Sequence, residues 1–298
     1  MRDVDTFFEV HEKKFYIVLA CIMAIVLGVW YVRTSRAQNI ALANMQMQEG
    51  RYAEALKSLR SAKTPYEHLL KSLLYVKIGY SRQDKKDAFS DIFLGGMAAP
   101  DIGSYASLKA AECYDLAIAA AGRAQMLEKN NPDAYSLLAL VSAFKDDFDT
   151  AKGHAAKAIQ FADTNYRKSN CHLVLALVFA RKSIVGGRDY LTVNHLSDQA
   201  IAHIKNAIGL NPQNDLAYEL WGIIKLTKGN WPEALAYFEE ARRLYQVNLT
   251  EFRKFNLMKN RETFDFDIAG HISIKKNDEL IAYADRQGQL EAQSAPKK

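Results

Sequence analysis

Apolar and polar positions divide the chain into two regimes. Residues 15–32, FYIVLACIMAIVLGVWYV, carry no charge, and as a helix such a run rises about 27 Å, close to the hydrocarbon thickness of a bilayer. Tyr16, Trp30 and Tyr31 lie near its ends, with Lys13, Lys14, Arg33 and Arg36 outside them, placements that suit the interface and the headgroups. The pattern predicts one transmembrane helix over 15–32 behind a short tail, 1–14. A cleavable signal peptide is the alternative, but its apolar core is shorter and a small-residue cleavage site follows closely. Here Arg33 and Arg36 precede the first such triplet, Ala41-Leu42-Ala43.

From residue 36 onward the period becomes helical: Ala, Leu, Lys and Glu recur at three and four residues, with Pro and Gly between segments. Strand-like alternation is nearly absent. The clearest unit is residues 211–244, with Tyr218, Trp221, Gly222, Gly229, Trp231, Ala234, Phe238 and Ala241. Ala200, Ile204, Ala207 and Pro212 repeat its ending, as do Ala120, Ala124, Leu127 and Pro132 more loosely. Tyr135, Leu138, Ala139, Phe148, Ala151 and Ala158 form another copy, with Asp146-Asp147 where Gly is commoner. Leu42, Ala43, Gly50, Tyr52, Ala55, Leu59 and Ala62 form one more.

This pattern resembles the tetratricopeptide repeat (TPR), in which a small residue lets two antiparallel helices approach, a Gly ends the first, and an A-x3-F-x2-A run packs the second. The resemblance implies an all-α fold: a TPR-like solenoid of five to six helix pairs over 36–245, following the single transmembrane helix and closed by a C-terminal capping segment. Units are expected at 36–63, 65–98, 101–131, 132–163, 166–211 and 213–245, the second and third from length and helical pattern alone. Trp221, Trp231, Tyr218 and Phe238 then serve as packing residues.

Two stretches depart from the repeat. SIVGGRDYLTVN, residues 183–194, reads as an inserted loop. The cap and extended segment occupies 246–286: a further helix, VNLTEFRKFNLMKNR, then TFDFDIAGHISIKK, whose Phe264, Phe266, Ile268, Ile272 and Ile274 alternate as in an extended strand. The tail from Gln287 to Lys298 is expected to be disordered.

Composition narrows the chemistry. With 39 Lys+Arg against 34 Asp+Glu, the formal charge of +5 is too small and dispersed for a nucleic-acid footprint. Three cysteines without a C-x-x-C pair make no disulfide framework or zinc module. Whether Cys113 and Cys171 pair is a question of geometry. No phosphate loop, H-E-x-x-H or G-x-S-x-G occurs. Accordingly no catalytic residue, cofactor or metal is expected. Asp265 and Asp267, a D-x-D pair near His271, lack the further acidic ligands of a cation loop. His172 and His203 read as partly buried structural histidines.

Function is expected in binding. The resemblance implies a concave face lined by Tyr105, Lys109, Ser136, Leu140, Phe144, Leu173, Leu177, Arg181, Glu219 and Ile223. That mostly apolar lining suits an amphipathic helix or an extended apolar segment of a protein partner, unless the chain's own Phe264, Phe266 and Ile268 fill it. Lys and Arg number three before the span and two just after it, which places the amino terminus inside and the solenoid outside, in the periplasm of a bacterial inner membrane. The expectation is therefore a single-pass scaffold for subunits of an envelope complex (secretion, pilus, motor or translocon-associated). The alternatives are a cytosol-facing receptor for targeting helices and, more remotely, an enzyme with a site in the C-terminal segment.

Overall fold

The computed structural model describes Met23 and residues 34–47, 49–83, 100–185, 190–256 and 274–294. The predicted membrane span lies outside these residues, Met23 apart, and so do Asp265, Asp267, His271 and the alternating stretch up to residue 273. Among the described residues no helix is long and apolar enough to cross a membrane. Helix α1 covers residues 34–47. It is followed by α2 (Tyr52–Ser58), α3 (Pro65–Ser81), a 3-10 turn (Gly103–Ser107) and α4 (Ala110–Leu127). Then come α5 (Pro132–Phe144), α6 (Phe148–Phe161), α7 (Asn165–Val185) and α8 (Tyr190–Leu210). The chain continues with α9 (Asp215–Thr227), α10 (Trp231–Asn256) and α11 (Ile274–Ser294). The only extended pairing among the described residues is an isolated bridge between Arg51 and Asp101.

Local chemistry sets the helix ends. Thr64 and Glu67 form a capping box ahead of Pro65, and Asn131 caps α5 ahead of Pro132. Asn214 caps α9 by accepting from the Ala217 N–H at 3.3 Å. Three of the turns within pairs close alike. Gly50, Asp146 and Gly229 all have positive φ, at 75°, 61° and 72°. The next residue's N–H reaches back five positions: Arg51 to Gln46, Asp147 to Ser142 and Asn230 to Lys225, at 2.8, 2.9 and 3.0 Å. This six-to-one closure satisfies a terminal helix carbonyl. Asp146 adopts a backbone region in which a Cβ is disfavoured, and its carboxylate accepts from Arg181 Nη2 at 3.2 Å.

Successive helices then pair antiparallel. In the last pair, a Cβ on Gly222 would stand 2.6 Å from Phe238 Cε1. Phe238 is wholly buried between Ala234 and Ala241. In α3 and α4 the same approach recurs: a Cβ on Gly79 would meet Tyr114 at 2.6 Å and the Ala110 carbonyl at 3.2 Å. Ser72 Oγ donates to the Ala117 carbonyl at 2.9 Å in that pair, and Ser169 Oγ to the Ala207 carbonyl at 2.8 Å in α7 and α8. A buried hydroxyl thus finds its acceptor in the facing helix. With Gln46 of α1 bonded to Glu54 and Ser58 of α2, the described residues form five pairs in order: α1/α2, α3/α4, α5/α6, α7/α8 and α9/α10.

Several boundaries differ from the sequence reading. Residues 84–98 of the expected unit 65–98 lie outside the described residues, and among the described ones α3 pairs with α4, which belongs to the expected unit 101–131. In α4 the close approach to α3 is made at Ala110, Tyr114 and Ala117; of the predicted run Ala120 and Ala124 are buried, whereas Leu127 is 55% exposed. Gly222 and Ala234 are twelve residues apart, whereas Gly79 and Ala110 are thirty-one apart, and this long separation hid the match. Residues 101–107 return to the first pair, where Asp101 N donates to the Gly50 carbonyl at 2.9 Å and the Asp101 carbonyl accepts from Ala53 N at 3.2 Å. The supposed loop 183–194 is helical at both ends, since α7 runs to Val185 and α8 starts at Tyr190. Once a helix is nucleated, each further residue adds a hydrogen bond, so the insertion lengthens two helices.

At the C-terminus, the helix expected after Leu244 is the continuation of α10, an unbroken helix of 26 residues. Ile274 to Lys276, read as extended, begin α11, and residues 287–294, read as disordered, continue it. α11 holds its shape by packing on the last pair: Ala284 is buried, Tyr283 meets Trp231 edge-on at 6.3 Å, and Asp278 pairs with Arg242 at 3.2 Å.

The helix contacts predict opposite effects for one substitution at two glycines. Gly222→Ala should lower stability by about 1–2 kcal/mol, because forcing the buried Phe238 ring aside outweighs the gain in helix propensity. Gly153→Ala, at an exposed α6 position with nothing within 4 Å, should raise stability by up to about 1 kcal/mol. Denaturant unfolding of the two variants distinguishes them, and equal behaviour would contradict the close-approach account.

Candidate protein-binding face

The first helices of the last four pairs bring corresponding residues into line. Tyr75, Tyr135, His172 and Tyr218 each lie four residues before the small residue at the helix contact: Gly79, Ala139, Ala176 and Gly222. The predicted lining positions come next to these. Ser136, Leu140 and Phe144 belong to α5, Leu173, Leu177 and Arg181 to α7, and Glu219 and Ile223 to α9. All eight are buried, and Leu140, Leu177 and Ile223 are 0 % exposed. Of the ten, only Tyr105 and Lys109, beside the 3-10 turn, reach solvent.

Several of the buried eight are engaged in joining pairs. Phe144 stacks on Tyr114 at 5.8 Å between centroids and tilts against Tyr80 at 5.7 Å. The Arg181 guanidinium lies 5.0 Å from the Phe144 centroid, and its Nε donates to the Ala143 carbonyl at 2.9 Å. One aromatic and one cation therefore tie α3, α4, α5 and α7 together. Ser136 Oγ lies 3.6 Å from Cys171 Sγ. Burial pushes the Cys171 thiol up to about 12, which keeps it protonated and unreactive. Cys113 and Cys171 are both free and buried.

His172 and His203 face one another across α7 and α8, with Nδ1 atoms 3.1 Å apart and rings stacked at 5.3 Å. One imidazole therefore donates from Nδ1 and the other accepts. Phe179 covers the opposite side of His203 at 5.6 Å. Burial lowers the affinity of both rings for a second proton, and for His172 the neighbouring ring adds to the effect. No third ligand accompanies them: the described residues hold no group of three or more His, Cys, Asp or Glu placed to bind a metal.

A separate recess opens where α2, α3 and the 3-10 turn meet. It encloses about 530 Å³ and is lined by Lys57, Arg60, Lys71, Tyr75 and Tyr105 among others. Tyr75 and Tyr105 pack edge-to-face at 5.9 Å. Sequence reasoning placed Tyr105 on a binding surface but missed the cations opposite it. Tyr105 meets them only through the return of residues 101–107, and no local spacing signals that return.

Small-residue contacts, left-handed turns and A-x3-[large]-x2-A packing recur together down one stack. The chain folds as a TPR solenoid. Solved TPR structures are similar at low identity. Yeast Tom70 has a TM-score of 0.49 and 15% identity, covering 87% of this chain and 41% of its own. Pseudomonas aeruginosa PilF gives 0.46 and 12%, over 88% of this chain and 94% of its own. A TPR protein of Thermus thermophilus gives 0.41 and 16%, over 60% and 93%. This chain thus spans less than half the length of the Tom70 structure. Neither a protein-family model nor a curated protein matches the sequence.

The paired histidines of this TPR solenoid predict a pH effect. Their folded-state proton affinities lie below the ordinary value near 6.5, so the unfolded chain takes up protons first and stability falls as pH drops through about 6.5. Asp215, raised to about 6 by burial, acts oppositely: its folded form protonates before the unfolded one, so its cost fades as pH falls below about 6. The difference between variants isolates the histidines. A His172→Asn, His203→Asn double variant should lose less melting temperature than the parent, by a few degrees, between about pH 7.5 and pH 6. Parallel melting curves would refute this assignment.

Proposed function

We propose that this chain is a membrane-anchored protein–protein interaction scaffold that helps assemble or stabilise a larger bacterial envelope complex, with its solenoid on the periplasmic side. The observation that carries the reading is the short spacing between an apolar run and a stack: the uncharged residues 15–32 lie two positions ahead of residue 34, which is already helical as part of α1. A solenoid attached this directly is held close to the bilayer, where membrane-bound subunits are its neighbours. Stacked helix pairs supply an extended surface for such partners.

The proposed contact surface begins at Tyr105 and Lys109, the solvent-reached members of the predicted lining. Leu140, Leu177 and Ile223 would supply an apolar floor for an amphipathic or extended partner segment. They are closed to solvent in this structure, so a partner engages them only when that face opens. Tyr105 and Lys109 need no such opening.

Photo-crosslinking in native membranes tests the reading. A photoreactive residue in place of Lys109 should give a discrete crosslinked protein that is absent when the probe replaces Lys157 on the exposed face of α6. The full chain should resist alkaline extraction from the membrane. A reporter active only outside the cytoplasm should function when fused at Lys298. Solubility after extraction would remove the anchor, and reporter activity confined to the cytoplasm would transfer the search to cytosolic targeting helices.

A further inference from the structure

The recess between α2, α3 and the 3-10 turn has an electrostatic character that the rest of the described surface largely lacks. Several cations elsewhere sit beside acids: Lys145 with Asp115, Arg167 with Asp163, Lys225 with Glu233, and Lys228 with Asp198, at 2.5, 3.2, 2.6 and 3.0 Å. Lys57 and Arg60 stand on one wall of the recess and Lys71 on the other, with Arg123 of α4 close enough to Lys71 to perturb it. Among the described residues none of these four has a carboxylate within ion-pair distance. The acid that does line the recess, Glu54, is already committed to Arg51 Nη1 at 2.8 Å and to Gln46 Nε2 at 3.3 Å.

We infer that this recess is a docking site for an extended, acidic segment of a partner protein, whose carboxylates pair with Lys57, Arg60 and Lys71 while its backbone lies against Tyr75 and Tyr105. Cations on opposing walls of a concavity attract a chain that enters between them. A flat lipid surface reaches protruding residues instead. The volume, about 530 Å³, lies within the range of sites that enclose a small ligand or a few residues of chain. Lys71 is partly buried, and both that burial and Arg123 pull its proton affinity down. An arriving carboxylate opposes both effects by favouring the charged ammonium of Lys71. The phenol of Tyr75, pushed up to about 12 chiefly by burial, stays protonated and adds no competing negative charge.

The inference rests on the protein-binding reading above, and its test separates the two. Full-length protein is titrated with a fluorescein-labelled peptide of eight alternating Glu and Gly residues, and binding is followed by anisotropy. Affinity should fall about tenfold or more when ionic strength rises from about 0.05 M to about 0.3 M. It should fall comparably in Arg60→Glu, Lys71→Glu and stay unchanged in Lys157→Glu. Arg60→Gln, Lys71→Gln, which adds no repulsion, should weaken binding in the same direction, with helical circular dichroism and melting temperature confirming that each variant is folded. Equal binding of a Gln-for-Glu peptide, or equal binding by all variants, overturns the site. Binding of vesicles containing anionic lipid that is lost in the same variants, with no peptide binding, reassigns the recess to a membrane surface. Loss of the peptide result with a persisting Lys109 crosslink overturns this inference alone.

Discussion

Paired helices here meet where a glycine or alanine of one helix lies against the partner helix, and the rest of the stack depends on that approach. At Gly222 there is no room for a Cβ beside Phe238, and at Gly79 none beside Tyr114. The facing positions are filled by alanines with no exposure, such as Ala117, Ala139, Ala176 and Ala234. Such proximity brings a hydroxyl of one helix within reach of a carbonyl of its partner, as Ser72 and Ser169 show. In three of the pairs the chain reverses through a short connection, with Gly50, Asp146 and Gly229 in left-handed conformations.

Pairs join into a stack by different means. Asn214 caps α9 and donates to Ser169 Oγ of the preceding pair at 2.9 Å, so a single side chain ends one unit and anchors the next. Phe144 and Arg181 bind three successive units through an aromatic face and a main-chain carbonyl. Since each unit touches only its neighbours, contacts of this type transmit order along the solenoid. α11 meets the final pair by the same rule, with Ala284 buried and Trp231 against Tyr283.

Most positions that the repeat marks for an inner lining are buried, which turns attention to the first two pairs. There the 3-10 turn packs against α2, with Gly103 held 2.8 Å, measured from a notional Cβ, from Ala53. Its positive φ of 47° is a conformation that glycine adopts without penalty. The recess beside it is cationic and reached by solvent, unlike the buried Leu140, Leu177 and Ile223.

The sequence by itself determined the helical period, the helix caps, the left-handed turns and the helix-contact residues of the clearest units, because each of these is written within a short stretch of chain. Gly222 with Phe238 and Asn214 with Ala217 are local in that sense. It also carried the apolar run at 15–32 and the dispersed charge. Tertiary structure decided which helix partners which when the intervening chain is long, as for Gly79 and Tyr114, since spacing no longer reports contact once an insertion separates the two halves of a signature. It decided too that the insertion at 183–194 lengthens α7 and α8, and that residues 287–294 are helical. Isolated short helices are marginal in water and gain their stability from the surface they pack on. The closing of the recess over Lys57, Arg60 and Lys71 belongs to the same class, because Tyr105 reaches these cations only after the chain has returned to its first pair.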